Sequence, residues 1–162
     1  MPHIMKYRFL IFAFVAVAIV SCNMKSAMSP TIRTNSSLYR TSAEGITDTI
    51  SFTDSLSVGD TVRLRMACDG YYDYLRSVTA KADTSHLKVS LAWDEEYKEH
   101  LASDADPEHG YLSFVPDKVY GCITTLTYVV TSSGTHRIDL SVLSAAEEKY
   151  SYSSYYFFAA VK

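Results

Sequence analysis

Alternating apolar and polar residues after Gly45 constrain the fold of this chain more than any other feature. Val62, Leu64, Met66 and Cys68 are each separated by one residue, so a β-strand would place all four on one face. Strands with one apolar face, separated by short turns, predict an all-β antiparallel sandwich or barrel that forms one domain over residues 46–162. The same two-residue period recurs around Ile50 and at Leu87–Trp93, Leu126–Val130 and His136–Val142, and a last aromatic strand is predicted at Tyr155–Val161.

Three short motifs resemble the strands of immunoglobulin domains. The run Val62-x-Leu64-x-Met66-x-Cys68 resembles the B strand, and Tyr120-Gly121-Cys122 resembles the Tyr-x-Cys of the F strand. Gly134-Thr135 and the alternation that follows resemble the last strand, which leaves Ala145–Lys162 as an additional tail. The resemblance implies an immunoglobulin-like β-sandwich, with another antiparallel sandwich or barrel as the alternative.

The N-terminal region has the layout of an export signal. Lys6 and Arg8 precede an apolar run of 12 residues, Phe9–Val20, which is too short to span a bilayer. The tetrad Ile19-Val20-Ser21-Cys22 resembles the lipobox of bacterial lipoproteins. That resemblance implies a signal peptide over residues 1–21, acyl chains on Cys22, and a membrane partner reached through this lipid anchor.

The residues after Cys22 predict a location and a linker. Asn23 is not the aspartate that commonly retains lipoproteins in the inner membrane, and no acidic run follows it. Both observations favour the periplasmic face of the outer membrane in the cell envelope. Residues 22–45 are rich in Ser and Thr and lack hydrophobic periodicity, so we predict the lipidated Cys22 followed by a flexible tether.

The charge balance argues against nucleic acid as a partner. The chain has 15 basic and 18 acidic residues, and loss of Lys6 and Arg8 with the signal leaves 13 basic residues and a net charge of −5. The sequence contains no basic stripe, and the predicted compartment holds little nucleic acid. No sequence motif calls for a cofactor.

Cys68 and Cys122 remain once Cys22 is acylated, and an even pair in an oxidising compartment predicts a disulfide. Two buried free thiols are the alternative. The chain has no Cys-x-x-Cys, so redox catalysis is not expected.

The segment 94–117 is acidic, breaks the alternation and is predicted to be the long loop of the domain. Asp104, Asp106 and Glu108 are weak candidate ligands for a hard cation, but His109 stands where an EF-hand needs glycine. An acidic solvated loop is the better interpretation. His100 and His109 are a still weaker zinc candidate.

Tyrosine is the compositional outlier, with 13 residues in the chain. Its rigid apolar face and polar tip suit protein interfaces and sugar stacking, although tyrosine is also common on half-buried sheet faces. Tyr71, Tyr72, Tyr74 and Trp93 are therefore the candidate ligand contacts, with Tyr71–Tyr74 interpreted as part of a strand.

No known catalytic motif is present: there is no Gly-x-Ser-x-Gly, Ser-x-x-Lys or glycine-rich phosphate loop. We therefore predict a non-enzymatic, lipid-anchored structural or binding module of the envelope, with an envelope protein or glycan as its partner. Two alternatives remain open at this point. One is a glycan- or peptidoglycan-binding module that uses exposed tyrosines, and the other is an enzyme with its site in the 94–117 loop.

Overall fold

The computed structural model describes residues 27–93 and 95–162, so the signal run, the lipobox and Cys22 lie outside the described residues. In these two ranges no helix has the length and apolarity needed to cross a membrane.

The described residues form ten strands and three 3-10 helices. The 3-10 helices lie in the connections, at Glu95–His100, Pro107–His109 and Glu148–Tyr150. The strands are β1 (Thr31–Thr34), β2 (Ser37–Thr41), β3 (Thr47–Ser51), β4 (Thr61–Asp69), β5 (Leu75–Ala82), β6 (Leu87–Ala92), β7 (Tyr111–Ser113), β8 (Gly121–Val130), β9 (Gly134–Ser144) and β10 (Tyr152–Val161).

These strands form two sheets in which each paired strand runs antiparallel to its neighbour. The first sheet has the order β3-β2-β4-β8-β6, and β1 pairs with β4 beside β2. The second sheet has the order β10-β9-β5-β7. The prediction of an all-β antiparallel sandwich is confirmed.

The strand order is that of an immunoglobulin-like sandwich. In such a domain, strands A, B, E and D form one sheet and strands C, F and G the other. Here β4, β8 and β6 occupy the B, E and D positions, and β5, β9 and β10 occupy C, F and G. The B-strand assignment was therefore correct, but the segment beginning at Gly121 is an E strand and the one beginning at Gly134 is an F strand. The tail after Ala145 is not an addition, because it supplies the last strand, β10.

The core lies between the two sheets and is built from the alternate residues of each strand. On β4, Val62, Leu64 and Met66 are at most 2% exposed, whereas Arg63 and Arg65 between them are exposed. On β8 the inward residues include Tyr128, and burial raises the pKa of its hydroxyl. Both sheets thus follow the two-residue period that the sequence shows.

The tether is shorter than the sequence predicts, because residues 31–41 form β1 and β2. Leu38 is 2% exposed and belongs to the core, and the partly buried Ile32 packs against that core. Arg40 Nε donates a hydrogen bond to Asp48 Oδ1 on β3 at 3.0 Å, and its guanidinium lies 3.9 Å from the carboxylate of the buried Asp60. The local sequence is polar, so its order comes from pairing with β3 and β4 and from these two apolar contacts rather than from periodicity.

Two more strands were not predicted, and local irregularity explains both. A β-bulge shifts the register of β5 between Leu75 and Ser77, which breaks the period of two. Strand β7 has only three residues and lies inside the segment 94–117, which is therefore not a continuous loop. At Gly110, just before β7, a side chain would clash with the carbonyl oxygen of Ala80, and the φ of +77° favours glycine as well.

The packing of β10 gives a direct test of the sandwich. Phe157 is 7% exposed, and its ring packs edge-on against Phe52 with centroids 5.3 Å apart. We expect Phe157→Ala to lower the free energy of unfolding by about 3–5 kcal/mol, because truncation leaves a cavity in the core. Chemical denaturation measures this change.

The matched control is Phe158→Ala, one residue along the same strand, where the side chain is 52% exposed. It should change the free energy of unfolding by less than about 0.5 kcal/mol. Equal destabilisation by the two variants would contradict the placement of β10 as a strand with one face in the core.

Candidate functional site

The outer face of the first sheet, which points away from the core, gathers positive charge. Arg63 and Arg65 point outward from β4, Arg33 is on the same face of β1, and Lys88 is on the same face of β6. Most other outward residues of these strands are Thr, Ser or Ala. The outward positions of this sheet's strands carry four cations and one carboxylate, that of Asp69, because Arg40 and Asp48 lie at the inward parity of β2 and β3.

In the part of the chain that the structure describes, none of these four cations is in an ion pair. The register also keeps them apart: Arg63 lies between Tyr39 and Thr127, and Arg65 lies opposite Thr125. Like charges directly opposite each other would destabilise the sheet. The statement that the chain has no basic stripe is therefore wrong for the folded domain, because strand pairing collects cations that are far apart in sequence.

A cleft of about 570 Å³ opens at one end of this face. Its floor includes Arg65 of β4 and Ile123 of β8, which is 51% exposed. Trp93 enters from the segment after β6, and Lys118 and Tyr120 enter from the segment before β8. We call this site the cationic-aromatic cleft. His100, at the end of the 3-10 helix, and Asp69 of β4 also line it, so the cleft holds two cations and one carboxylate.

Two aromatic rings of the cleft are fixed by their contacts. Trp93 packs edge-on against the buried Phe114, with centroids 5.1 Å apart. Tyr120 stacks on Tyr74 with centroids 4.0 Å apart, and its hydroxyl hydrogen-bonds with that of Tyr74. This hydrogen bond, followed by desolvation, raises the pKa of Tyr120. Both rings are thus held in place before any ligand arrives.

The structure separates the tyrosines predicted as ligand contacts. Tyr71–Tyr74 is not a strand but lies in the turn between β4 and β5. Tyr71 has a φ of +59°, and its backbone N–H donates to Asp69 Oδ1 at 2.6 Å. Tyr72 is 79% exposed, whereas Tyr74 supports the cleft indirectly through Tyr120. Of the four candidates, only Trp93 lines the cleft itself.

The candidate metal ligands do not converge. Both carboxylate oxygens of Asp106 lie within 3.0 Å of His109 Nδ1, and this contact raises the pKa of His109. Asp104 and Glu108 are exposed. Among the described residues, no three His, Cys, Asp or Glu side chains are placed to hold a metal ion. His100 lies beside Glu99 instead of joining His109.

Cys68 and Cys122 lie directly opposite each other on β4 and β8. The bridge of an immunoglobulin domain joins the two sheets, whereas these residues are neighbours within one sheet. Both are buried free thiols in this structure. Their mutual hydrogen bond, together with burial, raises the pKa of Cys122. A thiol of raised pKa is a poor nucleophile, so the pair has no feature of a redox-active site.

Arg65, Lys118 and Tyr120 are site residues that were not predicted from the sequence. The outward position of Arg65 could be read from the alternation in β4, but its neighbours depend on which strands pair. Tyr120 was interpreted as the tyrosine corner of an F strand, which gave it a structural role. No local pattern brings these residues together with Trp93.

The chain matches no protein-family model and no curated protein sequence. One similar solved structure is a collagen-binding domain from a Staphylococcus aureus adhesin, at 10% identity and a TM-score of 0.35. The similarity covers 62% of this chain and 87% of that domain.

The register predicts that Cys68 and Cys122 can be joined by a disulfide with a local movement of β4 and β8. Backbone hydrogen bonds pair Gly70 with Tyr120 and Asp60 with Val130, so the two cysteines form a hydrogen-bonded pair of the same ladder. Cα atoms in such a pair are about 5.5 Å apart, within the Cα range of a disulfide. The Cβ atoms of a hydrogen-bonded pair are also about 5.5 Å apart, wider than the roughly 3.8 Å that a disulfide needs, so the two strands must move together locally to form the bond. The closed loop would raise the free energy of unfolding by about 4 kcal/mol in the chain-entropy model, and the strain of this movement reduces that gain.

We therefore expect protein treated with a disulfide oxidant to melt at a higher temperature than the reduced protein. The double variant Cys68→Ala, Cys122→Ala should melt at the same temperature with and without reductant. Identical melting of oxidised and reduced wild-type protein, with thiol alkylation confirming each state, would show that the bridge does not stabilise the domain.

Proposed function

We propose that this protein is a non-enzymatic, lipid-anchored binding module of a bacterial envelope, and that the cationic-aromatic cleft binds an acidic glycan. The observation that supports the proposal is the coincidence, within the described part of the chain, of cations without an ion pair and fixed aromatic rings in one cleft. Among the described residues, Arg65 and Lys118 have no anionic partner, and both line the same cleft as Trp93 and Tyr120.

The aromatic part of the cleft suits a sugar. A pyranose ring presents an apolar face edged by hydroxyl groups, and Trp and Tyr rings pack against such faces while their polar atoms stay hydrated. A rigid ring loses little conformational entropy on binding, so the contacts that hold Trp93 and Tyr120 favour affinity. A cleft of about 570 Å³ has room for one or two sugar units.

The cationic part selects an acidic ligand. The guanidinium of Arg65 can make two parallel hydrogen bonds to a carboxylate, and Lys118 adds a second positive charge. Beyond the cleft, Arg63 and Arg33 extend the charge along the outer face of the sheet. A domain with a negative net charge and one cationic face directs a polyanion to that face.

Nucleic acid is a less suitable polyanion than a glycan. Four strand cations are fewer than nucleic-acid-binding surfaces use, and export to the envelope would separate the protein from nucleic acid.

The anchor is proposed from the lipobox resemblance at Cys22. Two or three acyl chains hold a protein stably on a bilayer, whereas one chain holds it only marginally. An anchor of this kind keeps the domain in the envelope, where acidic glycans are present.

The glycan proposal predicts a specific loss of binding. We expect Arg65→Gln to weaken binding of an acidic polysaccharide by about tenfold, since a charge-assisted hydrogen bond contributes about 1.5–3 kcal/mol. Tyr120→Ala should weaken it similarly by removing the stacking surface. Isothermal titration of the protein with a uronic-acid polysaccharide measures both effects, and peptidoglycan sacculi can be tested by co-sedimentation.

The matched controls lie on the second sheet. Arg76→Gln removes the same charge from an exposed position on β5, and Tyr155→Ala removes an exposed ring from β10. Neither should change the affinity by more than about twofold, the size expected of an exposed site away from the ligand. Equal losses in the control and cleft variants, or equal affinity for a neutral polysaccharide, would contradict the assignment of the cleft.

The anchor has a separate test. Cys22→Ser should move the protein from the membrane fraction to the soluble fraction after cell lysis, because the acceptor of the acyl chains is lost. Metabolic labelling with a fatty acid should mark the wild-type protein and not the variant. Continued membrane association of a processed Cys22→Ser protein would disprove the anchor.

A further inference from the structure

We infer that the end of the sandwich nearest the anchor is a membrane-docking surface. Its exposed tyrosines contact a zwitterionic lipid bilayer. This inference rests on the proposed acylation of Cys22. We call this end the tether end, because the chain enters the domain there. It is formed by residues 28–31, the turn 69–74, the segment 115–120 and the segment 145–152.

The topology fixes which end faces the anchor. Thr31, the first residue of β1, pairs with Asp69, the last residue of β4. The turn that carries Tyr72 follows Asp69 directly. β8 begins beside the same point, since Gly121 pairs with Asp69. The chain therefore enters the domain next to the tyrosine-bearing turn.

Few residues separate Cys22 from the first strand in the sequence. Nine Cα–Cα steps lead from Cys22 to Thr31, which span at most about 32 Å when extended and about 15–18 Å as a random coil. A short linker of this kind holds the domain at millimolar effective concentration near the lipid surface. Weak contacts at the tether end are then enough to orient the domain. The opposite end of the sandwich lies farther from Thr31 by the length of β4, about 27 Å.

The tether end has the side chains of a membrane interface. Tyr72 is 79% exposed, Tyr152 is 57% exposed and Tyr120 is 49% exposed, and Met28 beside the entry of the chain is 45% exposed. Tyrosine is enriched at membrane–water interfaces because its ring and hydroxyl suit the headgroup layer. The loops of the opposite end, all within the described ranges, have exposed Ile46 and Val58 but no exposed Tyr, Trp or Phe.

The charge of the tether end indicates which lipid it meets. Asp69, Asp117, Glu147 and Glu148 are exposed there, against the exposed Lys118 and Lys149. This excess of carboxylates is unfavourable on an anionic surface, so the contact depends on the tyrosines and not on electrostatic attraction. We therefore expect docking on zwitterionic lipid that is insensitive to salt. The tether end and the cationic-aromatic cleft share Lys118 and Tyr120, so lipid and glycan compete for these two residues.

The test uses the full-length acylated protein reconstituted in phosphatidylcholine vesicles that contain brominated lipid. In a Trp93→Phe background, which removes the chain's single tryptophan, Tyr72→Trp places a fluorescent probe at the tether end. Ile46→Trp places the matched probe at the opposite end, where the side chain is 68% exposed. We expect brominated lipid to quench the probe at position 72 severalfold more than the probe at position 46, in low and in high salt.

Three outcomes would overturn the inference. The first is equal or absent quenching at both positions in protein that floats with the vesicles, and the second is quenching that requires anionic lipid. The third is protection of Tyr72 from a water-soluble labelling reagent in cells, without quenching of the probe at position 72 in vesicles. That result would indicate a protein partner instead of lipid. Protein that does not float with the vesicles would disprove the lipid anchor. Flotation therefore tests the proposed anchor, and quenching tests the docking surface, so the two can fail separately.

A second measurement guards against loss of packing around position 93. Nitroxide labels on Tyr72→Cys and Ile46→Cys, with Trp93 retained, compare collisions with oxygen and with a water-soluble nickel chelate. Cys68 and Cys122 are buried, so they should not take the label. Preference of the label at position 72 for oxygen would support docking, and equal behaviour of the two labels would disprove it.

Discussion

The antiparallel ladder between β4 and β8 is the contact on which both the core and the candidate site depend. It pairs Thr61 with Val129 at one end and Asp69 with Gly121 at the other. A slip of one residue would turn every side chain of a strand to the opposite face. It would bury Arg63 and Arg65 and expose Val62 and Leu64, at a large free-energy cost. The hydrophobic core therefore fixes the register, and the register fixes the cationic face.

The cationic-aromatic cleft takes its rigidity from this arrangement. Arg65 projects from a central strand that has partners on both sides, while Trp93 and Tyr120 lie in irregular segments that core and stacking contacts hold in place. Phe114, which supports Trp93, is itself in the core. In such a site, buried residues fix the positions of the exposed side chains, and the exposed side chains provide the charge and the contact surface. A substitution such as Arg65→Gln can therefore change binding while the fold persists.

The sequence predicted those parts of the fold that depend on local periodicity. Strands β3, β4, β6, β8, β9 and β10 follow a two-residue pattern, and each was found near its predicted place. The other elements depend on contacts that no local pattern encodes. β1 and β2 are ordered by pairing with β4. A bulge interrupts the two-residue period of β5, and β7 has only three residues. The F-strand assignment failed because Tyr-x-Cys describes one strand, whereas membership in a sheet is decided by partners.

The candidate site was predictable only in part, for the same reason. Trp93 was found because a lone tryptophan beside charged residues is visible in any sequence. Arg33, Arg65 and Lys88 are 32 and 23 residues apart along the chain, and only the pairing of β1, β4, β8 and β6 makes them one face. The short link between Cys22 and Thr31 follows from the same pairing, since β1 belongs to the sheet and not to the tether. Strand pairing therefore determines both where charge accumulates on this domain and which of its ends lies nearest the proposed anchor.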